Sequence, residues 1–182
     1  MFLFEFIKRI KFCKNANRIG PDIPFTHWRL HFKTTMLKLC KRKFNYFDDS
    51  AYFRAGAYAE FCSNISIGKN VVIRPNSMLF ADENAKIIIE DNVLIGSGVH
   101  FYVDNHKFDR VDIPLIEQGY YPSEDIVVRE GSWIGANSMI LTGVIIGRNS
   151  VIGAGSIVTK SIPDFCVAAG NPAKVIKVLS ND

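Results

Sequence analysis

The sequence predicts an all-β fold: a parallel β-helix of hexapeptide repeats, with a protruding loop and a basic N-terminal region. Three observations carry this. From Val128 an aliphatic residue recurs at every sixth position, through Ile134, Ile140, Ile146 and Ile152 to Val158. A second series two residues earlier, Ile126, Ser132, Ser138, Val144, Ser150 and Ser156, is small or β-branched throughout. Glycine follows the aliphatic position at Gly135, Gly147 and Gly153, where a tight bend without a Cβ is cheap. A period of six suits neither a helix face nor an alternating strand, so the chain must coil. Each hexapeptide gives a short strand and a turn, and each turn of the coil buries the apolar edge of the next.

Residues 1–60 form the N-terminal region, packing on or capping the coil. Residues 1–50 hold 11 Lys+Arg against 4 Asp+Glu, a net +7, which leaves 11 against 14, or −3, for the remainder. The opening stretch interleaves Phe2, Phe4, Phe6, Ile7 and Ile10 with Glu5, Lys8, Arg9, Lys11 and Lys14. Its apolar runs are too short to span a membrane and no small-residue cleavage site follows, so neither a transmembrane helix nor a secretory signal is supported. The favoured reading docks its aromatic face on the coil. A basic amphipathic segment lying on a membrane surface is the alternative.

The coil domain spans residues 61–162. Its beat occurs first as Ile67, Ile73 and Leu79, then as Ile89, Ile95 and Phe101, with Gly68 and Gly96 at bends. From Leu79 to Ile89 the spacing is ten, so residues 81–85 bulge from a corner. From Phe101 to Val128 it is twenty-seven, so residues 105–125 leave the coil as an extruded loop. Loops longer than about 12–15 residues are usually functional or disordered; Phe108, Pro114, Tyr120, Tyr121 and Pro122 make this one an ordered, packed arm. The beat ends at Pro163, and residues 163–182 form a tail in which Gly170-Asn171-Pro172 marks a turn before an apolar run.

With 182 residues and 48% apolar composition, one domain can bury a continuous core. Cys13, Cys40, Cys62 and Cys166 lack CxxC spacing and suit reduced thiols of a cytoplasmic protein better than disulfides or zinc. Between the inward positions one residue of each hexapeptide points out. That series, Val127, Trp133, Met139, Ile145, Val151 and Ile157, is apolar, the mark of a contiguous self-association surface.

Five stretches resemble one known family: DNVLIG at 91–96, DNHKFD at 104–109, SWIGA at 132–136, VIGAGSIVTK at 151–160 and AGNPAK at 169–174. It is that of the hexapeptide-repeat acyltransferases, closest to the sugar O-acetyltransferases of galactoside, maltose and polysaccharide-biosynthesis type. The resemblance covers about residues 60–178. It implies a left-handed coil, a hand that the spacing does not give. It further implies a homotrimer with active sites between subunits and acetyl-CoA as cosubstrate without a metal. The implied acceptor is a sugar, nucleotide-sugar or lipid-linked saccharide in O-antigen, capsule or exopolysaccharide biosynthesis.

By resemblance His106 is the general base for the acceptor hydroxyl, work for which imidazole is suited. Ala136 matches the position whose backbone N–H meets the oxyanion. Trp133 stands beside the pantetheine arm, Ala154 matches a backbone contact, and Thr159, Lys160, Lys174 and Lys177 meet the CoA phosphates. Relatives often carry arginine at the last two. Asn76, Asn84 and Asn105 fall on the acceptor side, although corner asparagines also occur simply because they tolerate left-handed φ. Asp104 stands where many polysaccharide-type relatives have a second histidine; it alters the acceptor or orients His106 through a charge-assisted hydrogen bond.

The competing function is N-acetylation of a nucleotide-linked amino sugar. A γ-class carbonic anhydrase needs three zinc-binding histidines, whereas only His100 and His106 lie near the middle of the coil, and His27 and His31 stand apart from them. A non-enzymatic scaffold leaves His106, Trp133 and Lys160 unexplained. The basic region lacks a recognition motif, so no nucleic-acid partner is expected. The expected location is cytoplasmic, with the basic N-terminus as the candidate contact to the inner face of the membrane.

Overall fold

Two inward positions per hexapeptide hold the fold together. They are buried in pairs, from Ala51 and Phe53 through Val71 and Ile73, Val99 and Phe101, and Ser132 and Ile134 to Cys166 and Ala168. The computed structural model describes residues 2–180; Met1, Asn181 and Asp182, at the ends of the N-terminal region and the tail, lie outside the described residues. Successive turns stack in direct register, so that Ile67, Ile89, Val128 and Ile146 fall in one column. Each such side chain contributes on the order of 1.5–3 kcal/mol when fully buried. The inward serines are tolerated because their hydroxyls are used. Ser132 Oγ donates to the carbonyls of Arg129 and Gly147 at 2.7 Å, and Ser150 Oγ to that of Pro163 at 2.7 Å, so no buried donor is left unpaired there.

The strands make three faces of a prism. The first holds Tyr58–Glu60, Met78–Phe80, His100–Tyr102, Met139–Ile140 and Ile157–Val158. The second holds Tyr46–Phe47, Ile65–Ile67, Ile87–Ile89, Ile126–Val128 and Ile145–Ile146. On the third, Tyr52–Phe53 pairs with Val72–Ile73, and Leu94–Ile95, Trp133–Ile134, Val151–Ile152 and Cys166–Gly170 continue the stack. Every ladder among these strands is parallel, and Val72–Ile73 and Leu94–Ile95 are neighbours without a ladder. The ladder already begins at Tyr46, inside the segment read as N-terminal, because Phe47, Phe53 and Ala59 keep the six-residue beat with aromatic and small residues. It also runs past Pro163 to Gly170, where Cys166 and Ala168 supply one more inward pair. The apolar tail is a strand, Ala173–Val178, folded back antiparallel on Cys166–Gly170.

Three faces correct one expectation. The outward series is not contiguous, because each step of six moves to the next face; Val127 and Ile145 share the second, Trp133 and Val151 the third, and Met139 and Ile157 the first. The contiguous column on the third face is instead Leu94, Trp133, Val151 and Val167.

Among the described residues the α-helices, α1 (Phe2–Asn15), α2 (Pro24–His27) and α3 (Lys33–Lys43), are confined to the N-terminal region. Helix α3 (Lys33–Lys43) buries Met36, Leu39 and Cys40 in the core, beside Phe44, Phe47 and Phe53. Its last turn carries Lys41, Arg42 and Lys43, the favourable sign for a helix C-terminus. Helix α1 (Phe2–Asn15) behaves otherwise: Cys13 is buried, while Phe2, Leu3, Phe4, Phe6, Ile7 and Phe12 are exposed. Its aromatic face therefore does not dock on the coil, whose lower end α3 already covers. All four cysteines are free and buried, and burial pushes the Cys40 and Cys62 thiols up, Cys62 to about 12.

Candidate active site

Every departure from the beat falls on one edge of the prism, where the first face hands over to the second. A 3-10 turn, Cys62–Asn64, sits there; residues 81–85 bulge one turn later, and residues 103–125 leave at the next. Hydrogen bonds tie these tiers together: Asn64 Nδ2 donates to the Asp82 carbonyl at 2.6 Å, and the Lys86 N–H to Asp125 Oδ1 at 2.7 Å.

The loop closes on itself. His106 and Tyr120 form an antiparallel bridge, the Lys107 N–H donates to the Gly119 carbonyl at 2.9 Å, and the Tyr121 N–H to the Asn105 carbonyl at 3.0 Å. Farther out, Arg110 pairs with Asp112, Gln118 Nε2 donates to the Arg110 carbonyl at 2.8 Å, and the Tyr121 hydroxyl donates to Asp109. The arm is thus ordered from within. The packing expected of the arm is internal, through His106 with Tyr120 and Phe108 with Tyr121, while Phe108, Val111, Leu115 and Ile116 remain exposed.

At its root the His106 imidazole lies against the Tyr120 ring, with centroids 4.2 Å apart and planes at 30°. Both line a cavity of about 440 Å³ together with Tyr102, Asn105, Met139 and Thr142. Asp104 reaches the same cavity, but among the described residues no hydrogen bond joins it to His106; the partner of the imidazole is aromatic. A second cavity of about 560 Å³ shares Asp104 and Tyr120 and adds Phe61, Asp82, Glu83 and Asn84. Partial burial opposes ionisation of Asp82. Hydrogen bonds from Ser123 and from the Asn84 and Ala85 N–H groups outweigh it and hold the carboxyl below its usual range. The edge beneath the loop is acidic and aromatic.

The residues singled out in the sequence fall into three groups. Asn84, Asn105, His106, Thr159 and Lys160 share the loop edge, with Thr142 on the turn between His106 and Lys160. Asn76, Ala136 and Ala154 stand on the edge between the third and first faces. There Asn76 has φ +63, like the other corner asparagines Asn70, Asn92, Asn137 and Asn149, and its N–H donates to the Gly56 carbonyl at 3.0 Å. Trp133 and Lys177 share the outward column of the third face, where Trp133 and Arg74 line a groove of about 270 Å³; Lys174 is on the same final strand as Lys177. One protomer therefore does not bring His106 and Trp133 together, for the edge between two faces of a prism lies opposite the third. Sequence reasoning missed Tyr102, Tyr120 as partner of His106, and Thr142. Thr142 was legible: its Oγ1 accepts from the Glu124 N–H at 3.0 Å across eighteen residues, one full turn of three hexapeptides.

The profile described as bacterial transferase hexapeptide (six repeats) matches residues 125–160, and that described as hexapeptide repeat of succinyl-transferase matches residues 86–100. The galactoside O-acetyltransferase of Escherichia coli is 39% identical over 143 residues, covering 79% of this chain and 68% of that protein. The chain belongs to the hexapeptide-repeat acyltransferases. Its coil is the left-handed parallel β-helix of that family. The crystal structure of a galactoside acetyltransferase in complex with coenzyme A is 32% identical, with a TM-score of 0.67 over 96% of this chain and 80% of that one. A maltose O-acetyltransferase from Clostridium difficile is 26% identical, with a TM-score of 0.72 over 96% of this chain and 88% of that one. The chain spans 60% of the length of a Saccharomyces cerevisiae acetyltransferase relative that is 39% identical over 123 residues.

Proposed function

We propose that this acyltransferase moves an acetyl group from acetyl-CoA to a saccharide hydroxyl in surface-polysaccharide biosynthesis, by direct transfer with His106 as general base. The carrying observation is the exposed His106 imidazole, held against Tyr120 at a cavity large enough for a sugar ring. His106 takes the hydroxyl proton as the acceptor oxygen bonds to the acetyl carbonyl carbon. The thioester C–S bond then breaks and the thiol leaves, receiving the proton back from His106. A backbone N–H at Ala136 is suited to the transient oxyanion. Thr159, Lys160, Lys174 and Lys177 are all exposed and free to meet phosphates, and Ala154 and Trp133 to flank the pantetheine arm.

Such a site needs a second copy of the chain, because His106 and Trp133 face opposite ways in one. A homotrimer supplies the neighbour. The exposed Val111, Leu115 and Ile116 of the arm, with Leu94 and Trp133 on the third face, offer it apolar surface to cover. Asp82, Glu83 and Asp104 favour a neutral saccharide, lipid-linked or free, over a nucleotide-linked amino sugar, whose phosphates they would repel. Among the described residues no helix is long and apolar enough to cross a membrane. A cytoplasmic location with peripheral contact at the membrane's inner face belongs to the same proposal.

The test is thiol release from acetyl-CoA, screened against free, nucleotide-linked and lipid-linked saccharides. The His106→Ala variant should fold and bind acetyl-CoA but lose roughly 10²–10⁴-fold in kcat. In the wild type, kcat/KM should rise with pH as the general base loses its proton, a dependence that the variant should lack. Near wild-type turnover in the variant excludes the mechanism. An additional alkaline ionisation that follows the acceptor marks an amine and favours N-acetylation.

A further inference from the structure

Helix α1 exposes apolar side chains along most of its length, with Cys13 buried at its C-terminal end. At 100° per residue, Phe2, Leu3, Phe6, Ile7 and Ile10 share one face, and Arg9 and Lys11 flank it. Phe2 is 80% exposed and Leu3 70%. The face continues beyond the helix: the Phe2 and Phe6 rings stack at 6.2 Å, and Phe6 meets Phe25 edge-on at 6.5 Å. Trp28, 65% exposed, lies 5.4 Å from Phe32 on the following turn. The other side of α1 is charged. Lys8 sits 4.4 Å over the Phe4 ring and Arg9 5.2 Å over that of Phe12.

At the root of the helix, Arg29 and Arg42 converge on a cavity of about 150 Å³ whose other walls include Ile10 and Phe25. Two arginines beside Ile10 and Phe25, with Cys13 and Thr26 completing the lining, suit a phosphate headgroup at an apolar surface. A net +7 over residues 1–50 sets this surface apart from a coil of net −3.

We infer that α1, with Phe25, Trp28 and Phe32, docks on a membrane surface carrying anionic phospholipid. The apolar face enters the boundary between headgroups and acyl chains, the rings settle at headgroup depth, and Arg9, Lys11, Arg29 and Arg42 meet phosphates. This deepens the membrane contact proposed above. It would place the loop edge beside lipid-linked saccharides without a spanning segment.

The full chain is sedimented with vesicles of phosphatidylcholine alone and of phosphatidylcholine mixed with phosphatidylglycerol. Binding is expected only to the mixed vesicles and should weaken as salt rises. The variant Lys11→Glu should lose at least roughly ten-fold in vesicle affinity. Phe2→Ser/Phe6→Ser should lose a similar factor with its charge unchanged, which soluble phosphate binding to the arginines would not show. The inference is overturned by failure to sediment with the mixed vesicles, by equal binding to phosphatidylcholine, or by undiminished binding of the serine variant. A lower light-scattering mass for the serine variant also overturns it, by making the face a contact between copies of the chain. If the serine variant does not fold, the charge variant, which alters one exposed side chain, still decides. Both variants should release thiol at wild-type rates with a soluble saccharide. A wild type that sediments but acetylates no saccharide leaves the docking standing and removes the acetyltransferase reading.

Discussion

Two edges of the same prism are built to opposite rules. Between the third and first faces the corner repeats without insertion, through Gly56, Asn76, Gly98, Asn137 and Gly155, each with positive φ between 58° and 90°. Between the first and second faces the chain bulges, turns into a short 3-10 helix and throws out a loop of more than twenty residues. The regular edge leaves little room: a Cβ on Gly135 would stand 2.4 Å from the Ala154 nitrogen and 2.7 Å from the Ile152 carbonyl. The irregular edge holds His106, Tyr120 and both larger cavities. Insertions are tolerated where the outgoing and returning strands still meet their neighbours in register, and the polar groups that chemistry needs then stand outside the core.

This contrast can be tested from its strongest consequence downward. Gly135→Ala should cost about 1–3 kcal/mol, because backbone on the next turn must shift. For a chain of this size that lowers the melting temperature by roughly 2–12 °C, read by calorimetry. An unchanged melting temperature would show that the regular edge has slack.

At the irregular edge, Tyr120→Ala should leave melting nearly unchanged and lower kcat roughly ten- to a hundred-fold by freeing the His106 ring, while Tyr120→Phe restores most of the rate. The loss should fall on kcat, with KM for acetyl-CoA unchanged. A phenylalanine variant as slow as the alanine variant would show that the ring contact does not position His106. The smallest effect belongs to Lys160→Ala, two turns along the same edge. Acetyl-CoA binding measured by calorimetry should weaken by roughly three- to ten-fold, with the difference shrinking as salt screens the phosphate attraction. Undiminished affinity would remove Lys160 from the site.

The coil was legible in the amino-acid order because its rule is local. Each six residues carry their own inward pair and bend, so Ser132 with Ile134, or Ser156 with Val158, announce a rung without knowledge of any distant residue. The spacing breaks after Leu79 and Phe101 announced the bulge and the loop for the same reason. His106 was readable as a candidate base only through resemblance, since nothing local distinguishes such a loop histidine from His100, whose Nδ1 lies 3.2 Å from the Tyr102 hydroxyl on the same strand. Three matters required the tertiary structure. The outward residues divide among three faces because the coil closes every eighteen residues, a length no hexapeptide encodes by itself. Tyr120 meets His106 because the loop pairs its own limbs across fourteen positions, and that register depends on the turns at Gly119 and Leu115–Glu117. Helix α1 stays uncovered because α3 already closes the lower end of the core, so whether its aromatic side finds protein or lipid was decided by what the rest of the chain left open.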